Sequence, residues 1–190
     1  METQKRCSWW GSDPQYVKYH DQEWGVPVYD DDKLFEFLIL ETFQAGLSWI
    51  TILKKRENFR LALDNFDYHK IASYDDAKYE ELLNNSGIIR NKLKIKATIS
   101  NAIAFLKIQN EYGSFSKYIW SFVDGKPIIN KWKTTSEIPA TTPLSDTISK
   151  DLKKKGFKFV GSTVVYAHMQ ATGMVNDHIL DCLRHKELNG

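Results

Sequence analysis

Apolar residues recur three or four positions apart along most of the chain, which is the spacing of one face of an α-helix. One such pattern follows 30–32, three aspartates that favour a helix N-terminus. The residues that share its predicted face are Leu34, Phe35, Leu38, Glu41 and Ala45. Glu41 therefore stands where the pattern favours a leucine. Gly46 and Ser48 predict that this helix ends or bends before Trp49.

Helical signals continue beyond this point. Two short helices are predicted within 67–87, the second starting near Asp75 or Asp76, and a longer one within 88–113 ends at its final glycine. Three further helices are predicted at 145–155, capped by Ser145 or Asp146 and ended by Gly156, at 162–173, and at 176–182, capped by Asn176 or Asp177.

The segments between these helices are less regular. The segment 118–128 contains an Asp-Gly pair that would also suit a hairpin turn, so strand is an alternative to helix there. Thr, Ser and Pro predict a loop over 130–143. Because strands and helices do not alternate and no glycine-rich phosphate loop is present, the predicted fold class is all-α.

Composition narrows the class of protein without settling its function. The 190 residues, 42% of them hydrophobic, suffice for one sizeable domain or two small lobes. A net charge of +2 does not by itself indicate nucleic acid, so that case depends on where the Lys and Arg cluster. No signal peptide or apolar stretch of membrane-spanning length is present, and we expect a cytoplasmic protein without membrane contact.

Both cysteines of the chain have a histidine within reach, at opposite ends of the sequence. His178 and Cys182 are four residues apart, on one face of the predicted last helix, and Cys7 and His20 have a loop-like spacing. Two thiolates and two imidazoles suit tetrahedral zinc in a closed, structural site, and no HExxH-type motif indicates hydrolytic zinc. Buried free cysteines with hydrogen-bonded histidines are the alternative that spacing leaves open.

A turn at 84–97, "NNSGIIRNKLKIKA", joins two predicted helices and is followed by basic residues. Backbone N–H groups at a helix N-terminus bind phosphate well, and nearby Lys and Arg add charge. The predicted backbone contacts are Gly87, Ile88, Ile89, Arg90, Lys92 and Lys94. A solvated helix start with extended lysines is the alternative. Further basic stretches at 54–60 and 150–161 interleave charge with aromatics and favour a DNA or RNA partner.

The longer motifs resemble those of a known family. They are "DPQYVKYHDQEWGVP", "LETFQAGLSWITILKKRENFR", "SGIIRNKLKIKA", "SEIP", "LKKKGFKFVGST" and "VNDH" before Cys182. With these motifs, which span nearly the whole chain, the sequence resembles the DNA-3-methyladenine glycosylase I family of the helix-hairpin-helix glycosylase superfamily. The resemblance implies the helix-hairpin-helix glycosylase fold and excision of an alkylated base from double-stranded DNA.

The resemblance also implies an organisation of the chain. Residues 1–190 would form a single glycosylase unit with two helical lobes, a helix-hairpin-helix lobe at approximately 34–125 and a terminal lobe at approximately 1–33 plus 126–190. One structural zinc ion per chain would join the chain ends. Its ligands would be Cys7, His20, His178 and Cys182.

The resemblance assigns roles to individual pocket residues. Glu41 matches the acid that reads the extruded base, Trp49 matches the ring that stacks on it, and Tyr19 matches a residue that hydrogen-bonds it. The other matching positions are the aromatics Tyr16, Trp24 and Trp9 and the neighbouring Gln44. Without the resemblance, Glu41 would be interpreted as a structural acid satisfied by a neighbouring helix end.

The implied activity is hydrolytic release of free 3-methyladenine by a monomer without a lyase step. The hairpin position at which lyase-active relatives carry a lysine is Asn91, and Glu111 is the single acid within 87–120, where many superfamily members place a catalytic aspartate. Both features fit a labile, cationic leaving group that needs little chemical assistance. The alternative function is a zinc-stabilised DNA-binding module without catalysis.

Overall fold

The computed structural model describes residues 5–189, and this part of the chain is predominantly helical. Its α-helices are α1 (Pro14–Gln22), α2 (Asp31–Gln44), α3 (Trp49–Ala62), α4 (Tyr68–Ile71), α5 (Asp76–Asn84), α6 (Lys92–Tyr112), α7 (Phe115–Trp120), α8 (Pro143–Lys154), α9 (Ser162–Ala171) and α10 (Leu183–Glu187). Short 3₁₀ turns occur at Ser8–Trp10, Asp64–Phe66, Ser121–Val123 and Thr135–Glu137. Two strands, β1 (Ile128–Ile129) and β2 (Val175–Asn176), form a parallel pair. The all-α prediction is confirmed.

Helix α2 lies at the centre of the fold and is buried on every side from Leu34 to Phe43. The predicted cap is confirmed, because the Asp30 carboxylate accepts from the backbone N–H of Lys33. The helix ends at Gln44, and α3 begins five residues later at Trp49. The predicted break at 46–48 is therefore also confirmed.

One hydrophobic core joins α2 to helices from both halves of the chain. It includes Phe105 of α6, Phe115 of α7, Ile148 of α8 and Val165 of α9, all almost completely buried. A second, smaller cluster contains both cysteines together with aromatic residues of α1. The division into lobes at approximately 34–125 and 1–33 plus 126–190 stays a prediction, and its residues 1–4 and 190 lie outside the described part.

The predicted helix over 176–182 is wrong. Residues 175–176 form β2, and a turn without helix follows up to Cys182. Asn176 Oδ1 accepts locally, from the backbone N–H of His178 at 3.2 Å, but no helix follows it. Asp177, the other predicted cap, accepts from side chains of other segments. The backbone N–H of Leu180 donates to the carbonyl of Trp132, at 2.8 Å. Long-range contacts therefore replace the local helix.

The hairpin alternative for 118–128 is also wrong. The segment forms the end of α7, a 3₁₀ turn and the start of β1, which pairs in parallel with β2 rather than with its own neighbour. Gly173, two residues before β2, has a φ of +68° and lies against the 26–27 segment, where a Cβ would meet the backbone of Val26 at 2.4 Å. Among the helices of residues 5–189, none combines the length and apolar character that a membrane span requires.

Candidate functional site

A cavity of about 540 Å³ opens between α1, the end of α2, the start of α3 and α9. Its lining residues are Trp9, Tyr16, Tyr19, Trp24, Glu41, Gln44, Trp49, Thr135, Ser136, Ile138, Pro139, Ala140, Ala167 and Gln170. All seven residues that the sequence analysis placed in a base pocket are in this lining. The structure thus brings together side chains from positions 9 to 49, which come from four separate elements.

Glu41 is the acid of this pocket, and it is only 4% exposed. Within the described residues, no hydrogen-bond donor or basic side chain pairs with its carboxyl group. Burial raises the pKa of Glu41 to about 8, because a charge without a partner is poorly solvated there. A buried carboxyl that the protein leaves unpaired is suited to a ligand that donates hydrogen bonds or carries positive charge.

Aromatic rings form the walls around this carboxyl group. The Tyr19 ring lies 5.4 Å from that of Trp49, and Trp9 packs edge-on against Tyr16 at 5.2 Å and Trp24 at 4.8 Å, measured between ring centroids. The indole Nε1 of Trp49 is buried without a hydrogen-bond partner. The pocket therefore offers flat apolar surfaces around one unpaired acid, which suits a planar heterocycle.

Burial also controls the protonation of the two tyrosines. Burial, followed by the nearby Glu41, raises the pKa of Tyr16 to about 12, and the same two causes raise the pKa of Tyr19 well above its usual range. Both phenols keep their protons at neutral pH. They are therefore hydrogen-bond donors for a ligand.

Polar contacts hold α1 against α3 and so fix the aromatic wall. Arg56 of α3 makes two hydrogen bonds to the carboxylate of Glu23 at the end of α1, at 2.6 and 2.9 Å. Gln15 Nε2 donates to the carbonyl of Leu53 at 2.9 Å. Paired hydrogen bonds between a guanidinium and a carboxylate restrict orientation as well as distance. The tyrosines of α1 are therefore presented from a fixed helix.

Two parts of the pocket were missed by the sequence analysis. The residues of 135–140 were assigned to a loop, although the "SEIP" motif within them was noted, and Gln170 was assigned only to a helix. No local pattern distinguishes such a residue from an ordinary helix position.

The four predicted metal ligands converge into one buried cluster. Cys7, His20, His178 and Cys182 offer ligand atoms that all lie within 4.8 Å of one another. Cys182 Sγ lies 3.4 Å from His178 Nδ1 and 3.6 Å from His20 Nε2, and Cys7 Sγ lies 3.7 Å from His178 Nδ1. Sulfur and nitrogen ligands at tetrahedral zinc stand about 3.6 Å apart, given the usual metal–ligand bond lengths. The cluster therefore fits a metal ion.

The remaining histidine nitrogens are oriented by neighbouring groups. His20 Nδ1 lies 2.8 Å from Asp21 Oδ1, and His178 Nε2 lies 3.0 Å from the carbonyl of Trp24. Such contacts fix the tautomer and turn the other nitrogen towards a metal. Hydrogen bonding to Cys7, and then to the two imidazoles, lowers the pKa of Cys182 below its ordinary value. Both cysteines are free thiols.

The turn between α5 and α6 presents exposed basic side chains, Arg90 and Lys92. The backbone N–H of Gly87 donates to Asn85 Oδ1 at 2.8 Å, and that of Ile88 to the Asn85 carbonyl. The N–H groups of Ile89 and Arg90 have no acceptor among residues 5–189.

The predicted phosphate contact of Lys94 is wrong. Its side chain is buried, and its ammonium group donates to the carbonyls of Phe43 and Ala45, at 2.9 and 2.7 Å. These carbonyls belong to the end of α2, where helical acceptors remain unpaired. Lys94 thus caps α2 from within the protein and is not directed towards solvent.

The helical fold, the acid-containing aromatic pocket, the basic interhelical turn and the cluster of possible metal ligands are the features expected above of a base-excising glycosylase. The chain belongs to the methyladenine glycosylase family, whose family model matches residues 9–185. It is 51% identical to the DNA-3-methyladenine glycosylase 1 of Escherichia coli (strain K12), over 94% of this chain and 95% of the relative.

Solved structures give the same result. A crystal structure of 3-methyladenine DNA glycosylase I superposes with a TM-score of 0.92 and 53% identity, over 94% of this chain and 98% of the other. A second one, of a tyrosine-to-phenylalanine variant in complex with 3-methyladenine, superposes with a TM-score of 0.91 and 38% identity, over 94% and 96%.

Proposed function

We propose that the protein excises 3-methyladenine from alkylated double-stranded DNA by hydrolysis, without a lyase step. The observation that carries this proposal is the buried, unpaired carboxyl of Glu41 in an aromatic pocket. A module that only binds the DNA backbone has no use for an acidic, desolvated pocket. The free base is the expected product.

The pocket residues recognise the base after it leaves the duplex. Trp49 stacks on the extruded ring, Glu41 accepts from its amino edge, and Tyr19 donates a hydrogen bond to it. The remaining wall is formed by Tyr16, Trp24, Trp9 and Gln44. A methyl group on N3 makes the base cationic, so aromatic faces and an anionic acceptor both favour it over an unmodified adenine.

Hydrolysis requires little from the protein beyond this recognition. The bond between N9 and C1′ breaks with both electrons passing to the cationic base, which leaves as neutral 3-methyladenine. Water then bonds to C1′ and releases one proton. Before cleavage the positive charge lies on the base, where an ionised Glu41 pairs with it, so ionised Glu41 is expected in the loaded pocket. On cleavage this charge passes to C1′ of the sugar, and the proton that water releases carries it away.

The turn between α5 and α6 supplies the contact with the DNA backbone. The unpaired N–H groups of Ile89 and Arg90 can donate to one phosphate, and the exposed side chains of Arg90 and Lys92 add positive charge. Gly87 and Ile88 shape this turn. A Cβ at Gly87 would meet Asn85 Oδ1 at 3.0 Å and Asn58 Cβ at 3.2 Å, so a larger residue would disturb it.

The cluster of Cys7, His20, His178 and Cys182 holds one structural zinc ion per chain in this proposal. Four protein ligands leave no open position for substrate, so the ion contributes folding energy rather than chemistry. It ties 7–20 to 178–182 and thereby closes the two ends of the chain. We further propose a monomer, to be tested by light scattering, and a cytoplasmic location, which fits a DNA substrate and reduced cysteines.

The test is release of free base from methylated duplex DNA, measured by chromatography. We expect 3-methyladenine in the supernatant and intact, alkali-labile strands, because a monofunctional enzyme leaves the sugar in place. The Glu41→Gln variant is the matched control and should release far less. Absence of free base from the wild-type reaction would contradict the proposal, and strand cleavage without alkali would contradict the absence of a lyase step.

A further inference from the structure

A second carboxylate, Asp177, is completely buried close to the pocket and takes part in none of the steps above. Four side-chain donors converge on it. Asn130 Nδ2 and Trp132 Nε1 donate to Oδ1 at 2.6 and 2.8 Å, and Tyr166 Oη and Gln170 Nε2 donate to Oδ2 at 2.6 and 2.8 Å. A carboxylate offers about four acceptor positions, so all of them are used.

One of these four donors, Gln170, also lines the pocket. Its carboxamide has one donor end and one acceptor end, and the donor end is committed to Asp177. Its Oε1 has no hydrogen-bond partner in the described part of the chain. The backbone of Gln170 is fixed as well, because its carbonyl accepts from the N–H of Gly25 at 3.0 Å.

We propose that Asp177 is a positioning residue that sets the polarity of the pocket by holding Gln170 with its carboxamide oxygen towards the base. The inference rests on the proposed function and deepens it. With Glu41 and Gln170 both accepting, the pocket favours a purine whose edge donates, such as a 6-amino base, over one with a 6-oxo group. Gln170 is thus a specificity-determining residue that the sequence pattern did not reveal.

The network predicts what a change from carboxylate to amide does. The indole N–H of Trp132 can only donate, so an Asp177→Asn side chain must keep its carbonyl oxygen towards Trp132 and Asn130. Its NH₂ group then faces Tyr166 and Gln170. The Tyr166 hydroxyl can accept, whereas Gln170 must turn over to accept, which directs its own NH₂ group into the pocket. Asp177→Asn therefore replaces the acceptor that Gln170 offers to the base with a donor, although Asp177 itself does not contact the base.

The experiment titrates 3-methyladenine and its 6-oxo counterpart, 3-methylhypoxanthine, against the intact protein and follows tryptophan fluorescence. Gln170→Met removes the acceptor at similar volume and should weaken 3-methyladenine binding about three- to tenfold. Asp177→Asn should weaken 3-methyladenine binding at least as much. It should also reduce the ratio of the affinity for 3-methyladenine to that for 3-methylhypoxanthine. In the Gln170→Met background, Asp177→Asn should have no further effect on the preference.

Tyr166→Phe is the matched control, because Tyr166 donates to the same oxygen of Asp177 but does not line the pocket. It should lower thermal stability and leave the preference unchanged. Metal content is measured throughout, because Asp177 precedes a cluster ligand. An unchanged preference in Gln170→Met, or an equal change in Tyr166→Phe, would overturn the inference. A wild-type protein that binds neither base would contradict the proposed function and this inference together.

Discussion

The unpaired carboxyl of Glu41 should make the protein less stable as the pH rises. Its pKa is raised from an ordinary 4.5 to about 8 by burial. Because the folded-state pKa is the higher one, the folded protein binds this proton more tightly than the unfolded chain does. The loss of stability on ionisation therefore begins above about pH 4.5 and is complete above about pH 8.

The size of this effect follows from the same shift. At ~1.4 kcal/mol for each pH unit, the difference between the two pKa values corresponds to a loss on the order of 5 kcal/mol at high pH. Glu41→Gln keeps the shape of the side chain and cannot ionise. The variant should match the wild type in stability near pH 4.5 and exceed it by several kcal/mol at pH 8.5. Binding should change in the opposite direction, with a tenfold to hundredfold weaker affinity for 3-methyladenine, on the order of 1.5–3 kcal/mol.

Urea unfolding of both proteins at pH 5, 7 and 8.5 measures the first effect, and titration with the free base measures the second. Glu36→Gln is the matched control on the same helix. Glu36 is similarly buried, at 7% exposed, but accepts from Arg60 at 2.8 Å and pairs with Lys33 at 3.2 Å. Removing the charge of Glu36 should destabilise the protein at all three pH values, because Arg60 and Lys33 lose their partner. If Glu41→Gln gains no stability relative to wild type between pH 5 and 8.5, Glu41 has a partner within the protein and the reasoning fails.

Three further results are expected. Freshly purified protein should contain one zinc ion per chain, and protein without zinc would refute the proposed zinc site. Cys182→Ala should lower the thermal midpoint strongly, while the folded fraction still binds the free base. Neutralising Arg90 and Lys92 together should flatten the salt dependence of DNA binding and spare free-base affinity, whereas neutralising the buried Lys94 should reduce stability instead. Trp49→Ala should weaken binding of 6-amino and 6-oxo purines alike, since stacking is insensitive to the base edge; a selective loss would contradict the stacking role.

Local signals in the sequence were sufficient for most helices but not for the end of the chain. Helix α2 carries its own cap and its own apolar periodicity, so its bounds and the exceptional position of Glu41 were readable. The segment 176–182 has capping residues too, yet the Asp177 carboxylate accepts from Asn130 and Trp132, which are more than forty residues away. Helix propensity depends on residues close together in the sequence, and contacts between distant segments override it here.

The cluster of Cys7, His20, His178 and Cys182 was predicted to converge, and it does, although the local structure assumed for its last two members was wrong. His178 and Cys182 were placed on one helix face, but they approach each other to 3.4 Å in a turn instead. Their chemistry was readable because residue type limits what a buried thiol and imidazole can do together. The role of Lys94 was not readable, since a lysine that caps α2 from within and one that meets phosphate look identical in sequence.

The aromatic wall of the pocket and the cluster of possible metal ligands share one segment of the chain. The aromatic wall of Trp9, Tyr16, Tyr19 and Trp24 lies in the short segment that begins just after Cys7 and contains His20. This segment packs against α3 through Arg56 and Glu23, and His20 within it lies in the buried cluster with His178 and Cys182 from the other end of the chain. The acid of the pocket is instead held by α2, which is buried on all sides. The acid is therefore positioned by the hydrophobic core, whereas the aromatic wall is positioned by its packing against α3, which does not depend on the cluster; this is why the folded Cys182→Ala variant is expected to keep its affinity for the free base.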